Sequence, residues 1–195
     1  MSLKMKPHGW VAWILCALLG GCASQPKEPP RIVMNGFSIA PPTGKDWIVA
    51  KRSPELVVIG KAGGFSGETF TLEATLVKLP PASPEELVRR VESTQRKELD
   101  PKRFRLFKLE VGQQPVQGQP CALSRVEVAE RTTTDGTGSP VNMMLETVML
   151  ICPHPKDPLR GINMTYSHRH FPEDVDPHFS QDAAMLMRSL AFEPL

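Results

Sequence analysis

An α+β domain, with an antiparallel β-sheet flanked by helices, is the fold class this sequence predicts. Three observations carry that expectation. Most apolar residues fall into short β-branched or alternating runs bounded by turn residues, the pattern of strands. Two other stretches, residues 83–97 and 176–190, carry a helical apolar stripe behind a start signal. The 20 prolines divide the chain into many short elements and argue against a long helical bundle. Strand-rich stretches with two amphipathic helices bury their apolar faces most simply as a sheet covered by helices.

The chain opens on a targeting segment. Lys4 and Lys6 make a positive start, residues 10–19 are apolar, and Leu19-Gly20-Gly21-Cys22 places small residues ahead of a cysteine. The apolar run is too short to span a bilayer, which takes about 20 residues. This stretch resembles the lipobox of bacterial lipoproteins, which implies cleavage before Cys22 and lipid attachment at Cys22. Ala23 rather than an aspartate follows, and the resemblance then implies sorting to the outer membrane, with the protein lipid-anchored and facing the periplasm. The expected organisation is a signal peptide over 1–21, a lipidated proline-rich tether over 22–35 and a single α+β domain over 36–195.

Within the domain, Gly36-Phe37-Ser38-Ile39 reads as a short strand stopped by Pro41-Pro42. Residues 47–50 and 56–59 follow as β-branched strands. A longer strand covers 69–79, where Phe70, Leu72, Ala74 and Leu76 alternate with Thr71, Glu73 and Thr75. Ser83-Pro84-Glu85-Glu86 starts a helix with a serine cap, proline at the first helical position and a glutamate three residues after the cap. Residues 104–111 read as a strand, and Gln117-Gly118-Gln119-Pro120 as a turn. Strands over 121–131 and 142–152 flank a Gly-, Thr- and Ser-rich loop as a long hairpin, and 161–168 supplies the last strand. Asp176-Pro177 opens the second helix, striped by Phe179, Ala183, Leu186, Met187 and Leu190, and residues 191–195 form a short extended tail.

The cysteines sort by position. Cys16 lies in the signal and Cys22 is the lipid site, leaving Cys121 and Cys152 in the domain. Aligning the long hairpin with Leu123 opposite Leu150 places Cys121 opposite Cys152, close enough for a cross-strand disulfide in an oxidising envelope. That register also sets Glu127 against Glu146, a like-charge pair.

Charge excludes one function class. Lys4 and Lys6 account for the whole net charge of +2, so the mature chain is neutral and no nucleic-acid partner is expected. The eight basic residues between Arg89 and Lys108 read as a solvated helix face and strand edge. Gly63-Gly64-Phe65-Ser66-Gly67 lacks the glycine two places after the serine that a nucleophile elbow needs, and reads as a hairpin turn. No catalytic residues and no cofactor are expected. The densest set of metal-ligand side chains is His168, His170, Asp174, Asp176 and His178, with the three histidines as candidates. Each also has a structural use, as a strand-end spacer or a helix-start residue, so no metal is assigned.

Pro-Pro-Thr-Gly-x-x-Trp at 41–47, Ser-Pro-Glu-Glu-Leu at 83–87 and Gln-Gly-Gln-Pro-Cys-Ala at 117–122, in this order of elements, resemble the PsbP-like α/β/α sandwich superfamily over residues 36–195. Lys45 and Asp46 separate Gly44 from Trp47, where relatives have the pair adjacent. The superfamily includes an extrinsic subunit of the photosynthetic oxygen-evolving complex, a Ran-binding factor and bacterial lipoproteins. No functional residue carries over, because no site motif is matched. The expected function is a non-catalytic lipoprotein that binds another envelope protein. A small-ligand or metal-binding lipoprotein using the His168/His170 region is the alternative.

Overall fold

The computed structural model describes residues 30–64, 67–131 and 141–195. The expected signal peptide, Cys22, most of the expected tether, Phe65, Ser66 and residues 132–140 lie outside the described residues. The elements in order are β1 (Ile32–Val33), β2 (Phe37–Ile39), β3 (Ile48–Ser53), β4 (Leu56–Ala62), β5 (Thr69–Lys78), α1 (Pro84–Glu98), β6 (Phe104–Val116), β7 (Gln119–Glu130), β8 (Met143–His154), β9 (Asp157–His170), α2 (Phe179–Arg188) and β10 (Ala191–Phe192).

Seven of these strands form one antiparallel sheet in the order β3-β4-β5-β9-β8-β7-β6. β9 is its centre, paired with β5 on one side and β8 on the other. Side chains alternate between faces along each strand. One face carries Phe70, Leu72, Leu150, Ile162, Met164 and Tyr166, which pack with Phe179, Ala183, Leu186 and Met187 of α2 and with Phe37 and Ile39 of β2. The other carries Ala122, with Met149 and Ile151 beside it, against Leu87 and Val91 of α1. The domain is therefore α+β, with an antiparallel sheet between its two helices.

Helix α1 forms where its start signal stands. Ser83 Oγ accepts the Glu86 N–H at 3.2 Å, Pro84 occupies the first turn, and Glu85 and Glu86 face the positive end of the helix dipole. Arg96 and Lys97 sit at the opposite end. Of the basic residues in this segment, Arg90 pairs with Glu86, Arg96 with Glu92 and Lys108 with Glu110, all partly exposed. This matches a solvated face.

The β7–β8 register is the expected one, with Leu123 opposite Leu150 and Glu127 opposite Glu146. Cys121 and Cys152 are joined, with Cα atoms 4.3 Å apart, and both are buried in the core. β6 and β7 run longer than expected and meet in a two-residue turn at Gln117-Gly118, both at positive φ. Gln119 and Pro120 belong to β7, and Pro120 faces Pro115 at the hairpin end, where neither proline interrupts a central ladder.

Paired structure begins before the expected domain start at residue 36. Ile32 and Val33, expected in the tether, pair with Ile39 and Ser38, and Met34 is buried. Arg31 donates to the Ser38 hydroxyl and carbonyl, each at 2.9 Å, and Ser38 Oγ donates to Glu193 Oε1 at 2.7 Å. The tail is extended as expected, but paired: Ala191 and Phe192 add to β2 and complete a three-stranded sheet. The buried His154 holds this corner, its Nε2 lying 3.1 Å from the carbonyls of both Gly36 and Glu193. Among the described residues, no helix is long and apolar enough to cross a membrane.

Candidate functional site

β9 ends in His168 and His170, two residues apart and therefore on one face. Both imidazoles are buried, at 0% and 2% exposure. Their rings stack on each other with centroids 4.4 Å apart, and Phe70 of β5 stacks on His168 at 4.0 Å. Phe179 of α2 lies 6.0 Å from His168 and stacks on Tyr166 at 5.1 Å. Trp47 closes the aromatic box beside Phe70 and Tyr166, and the Lys61 ammonium lies 4.4 Å from the Phe70 ring centroid.

Two carboxylates reach the pair, one from a hairpin and one from a neighbouring strand. Glu68, at the β4–β5 hairpin, accepts from His168 Nε2 at 2.9 Å through one oxygen and from the Gly64 N–H at 2.6 Å through the other. Arg169 supports this hairpin, donating to the Gly67 carbonyl at 3.1 Å while it pairs with Glu130. Glu146 of β8 stands directly across from His168 in the β8–β9 register. Its Oε2 lies 3.5 Å from His170 Nε2 and 3.9 Å from His168 Nδ1. On the far side of the pair, His170 Nδ1 donates to the Phe171 carbonyl at 2.7 Å.

These bonds assign the ring protons. His168 carries its proton on Nε2, toward Glu68, and His170 carries its proton on Nδ1, toward Phe171. The remaining nitrogens, His168 Nδ1 and His170 Nε2, are the ones nearest Glu146 Oε2. All three atoms are buried without a hydrogen-bond partner. Burial pushes the His168 imidazole toward neutrality, but the Glu146 and Glu68 carboxylates outweigh it and hold His168 above the ordinary histidine value.

The candidate set read from sequence is therefore partly reassembled. His168 and His170 come together, whereas His178 is exposed at the start of α2 and takes no part. Asp176 instead accepts the His178 N–H at 2.8 Å, and Asp174 turns back on Phe171, as residues of a loop and helix start. The residues missed are Glu68 and Glu146. The one signal for Glu146 was its unfavourable place opposite Glu127.

A second feature lies beside the aromatic box. Ala40, Pro41, Pro42, Trp47, Tyr166 and Met185 line most of a cleft of about 110 Å³, with Lys61 and Asp182 at its polar margin. Next to Trp47, the edge strand β3 is exposed at all six residues, with Ile48 at 65% and Val49 at 55%.

No protein-family model and no curated protein matches the sequence. Among solved structures, the chain is similar to human StAR-related lipid transfer protein 5, with a TM-score of 0.31 and 10% identity, covering 75% of this chain and 85% of that one. It is also similar to the solution structure of cyanobacterial PsbP (CyanoP) from Synechocystis sp. PCC 6803, with a TM-score of 0.45 and 14% identity, covering 90% of this chain and 99% of that one.

Proposed function

We propose that this protein is a non-catalytic lipoprotein, anchored through Cys22 to the periplasmic side of the outer membrane, that works by binding another envelope protein. The observation that supports binding is the apolar surface formed by the Pro41-Pro42 cleft, Trp47, Met185 and the exposed edge residues Ile48 and Val49. Apolar patches rimmed by charge are where proteins meet partners, and tryptophan and methionine are enriched there. An edge strand adds unpaired N–H and C=O groups to which a partner strand can bond. The shift in register between Val49 and Lys51, together with the cations Lys51 and Arg52, restrains indiscriminate pairing along that edge. The lipobox supplies the anchor, and the Cys121–Cys152 disulfide suits an oxidising compartment.

The test is in-cell photocrosslinking from a reactive residue placed at Ile48 or Val49, with the exposed Arg89 on α1 as the comparison position. A discrete adduct from 48 and 49, absent from 89 and lost in Cys22→Ala, is the expected result. Adducts that are the same from all three positions, or absent from all, would overturn the reading. Lipid on Cys22 is read independently from the intact mass of the mature chain.

A further inference from the structure

We propose that Glu146, His168 and His170 form a binding site for one divalent transition-metal ion, zinc foremost, with Glu68 as the residue that orients His168. The inference goes beyond the binding role above and does not depend on it. It rests on which ring nitrogens are left without a proton. Each histidine spends its N–H on a fixed acceptor, Glu68 Oε1 for His168 and the Phe171 carbonyl for His170. This leaves two basic nitrogens and one carboxylate oxygen within 4.8 Å of one another. None of the three has a hydrogen-bond partner, and both imidazoles are at least nine-tenths buried. Three electron-pair donors converging in a protein interior repel one another unless a cation lies between them.

Geometry separates a metal from a proton. A histidinium shared with Glu146 would draw its nitrogen to about 2.7–2.9 Å from the carboxylate. The separations of 3.5 and 3.9 Å are too long for that. They fall near the spacing of about 3.3 Å between neighbouring donors that a tetrahedral ion with bonds of about 2.0–2.1 Å requires. Loading an ion also requires the two stacked rings to tilt toward a common point, and Glu146, which keeps a quarter of its side-chain surface exposed, to turn in with them.

The surroundings match what such ions need. A histidine ligand whose other nitrogen donates to a carboxylate is the recurring outer support of zinc sites, and Glu68 occupies that place. Glu68 is itself fixed by the Gly64 N–H. Two imidazoles and a carboxylate suit zinc, copper(II) or nickel rather than magnesium or calcium, and three protein ligands leave a position open to water or a small anion. Glu127, across the strand from Glu146, adds negative charge that a divalent ion neutralises.

The test titrates the chelator-stripped full chain with zinc chloride, following heat and thermal midpoint, with magnesium chloride as the comparison salt. One zinc per chain and a raised midpoint, neither produced by magnesium, are expected. Glu146→Gln should weaken zinc binding at least about 100-fold and Glu68→Gln about 10- to 100-fold, whereas His178→Ala should leave it unchanged. Cobalt(II) in the unaltered protein covers the case in which a variant does not fold. X-ray absorption of that sample should show two imidazole nitrogens and an oxygen at about 2.0–2.1 Å. Failure to bind zinc, copper(II) and nickel, undiminished zinc binding in a folded Glu146→Gln, or a cobalt shell without two imidazoles would each overturn the proposal.

Discussion

Breaking the Cys121–Cys152 bridge tests the centre of this fold. The cysteines are 31 residues apart in sequence and sit opposite each other across β7 and β8, at 1% and 0% exposure. A cross-link of this span removes conformational freedom from the unfolded chain. Loop-closure entropy gives about 3 kcal/mol for 15 residues and about 4.7 for 100, which places this loop near 3.7 kcal/mol. Reduction removes no core atom and adds only two thiol hydrogens, so reduced wild type should lose about 4 kcal/mol. Cys121→Ala with Cys152→Ala also removes two buried sulfur atoms and should lose a further ~1–2 kcal/mol to poorer packing. In a chain of this size each kcal/mol moves the thermal midpoint by about 2–4 °C, so reduction should lower it by roughly 8–16 °C. The assay is urea unfolding of oxidised, reduced and double-variant protein, with the redox state verified by thiol labelling and intact mass. The dependence of stability on urea should also steepen without the bridge, because the unfolded chain then exposes more surface. If verified reduced protein unfolds within about 1 kcal/mol of the oxidised form, the loop-entropy reasoning fails for this domain.

Two further outcomes follow from packing and burial. A methyl group at Gly161 would lie 2.7 Å from the Cys152 carbonyl oxygen and 2.6 Å from Leu79 Cδ2, so Gly161→Ala should cost about 1–3 kcal/mol in urea unfolding; an unchanged midpoint would contradict the close approach of β8 and β9. Tyr166 is the one tyrosine in the sequence, and burial, followed by the nearby Asp182 and Asp176 charges, raises its phenol well above the ordinary value. Its contribution to stability is complete below about pH 10 and is lost as the pH climbs from there toward the folded-state value. Tyrosinate absorbance should therefore rise only together with loss of near-ultraviolet circular dichroism, and titration at the ordinary pKa in folded protein would refute the burial of this ring.

The sequence by itself determined the features whose causes are local. Ser83, Pro84 and Glu86 state the start of α1 within four residues, and the stripe from Phe179 to Met187 states the buried face of α2. The β7–β8 register was legible because an alternating pattern tolerates no one-residue slip, and Cys121 facing Cys152 selects among the even ones. Strands of two residues carry no period at all. Ile32–Val33 and Ala191–Phe192 consequently read as tether and tail, and only their joint pairing with β2 makes them a sheet. The Glu68, Glu146, His168 and His170 cluster was decided by tertiary structure alone. His168 and His170 were visible as neighbours on one strand, but their carboxylates come from positions about 100 and 22 to 24 residues away. The sheet order that inserts β9 between β5 and β8 brings them together, and the β5–β9 pairing joins strands so far apart in the chain that no local spacing encodes it.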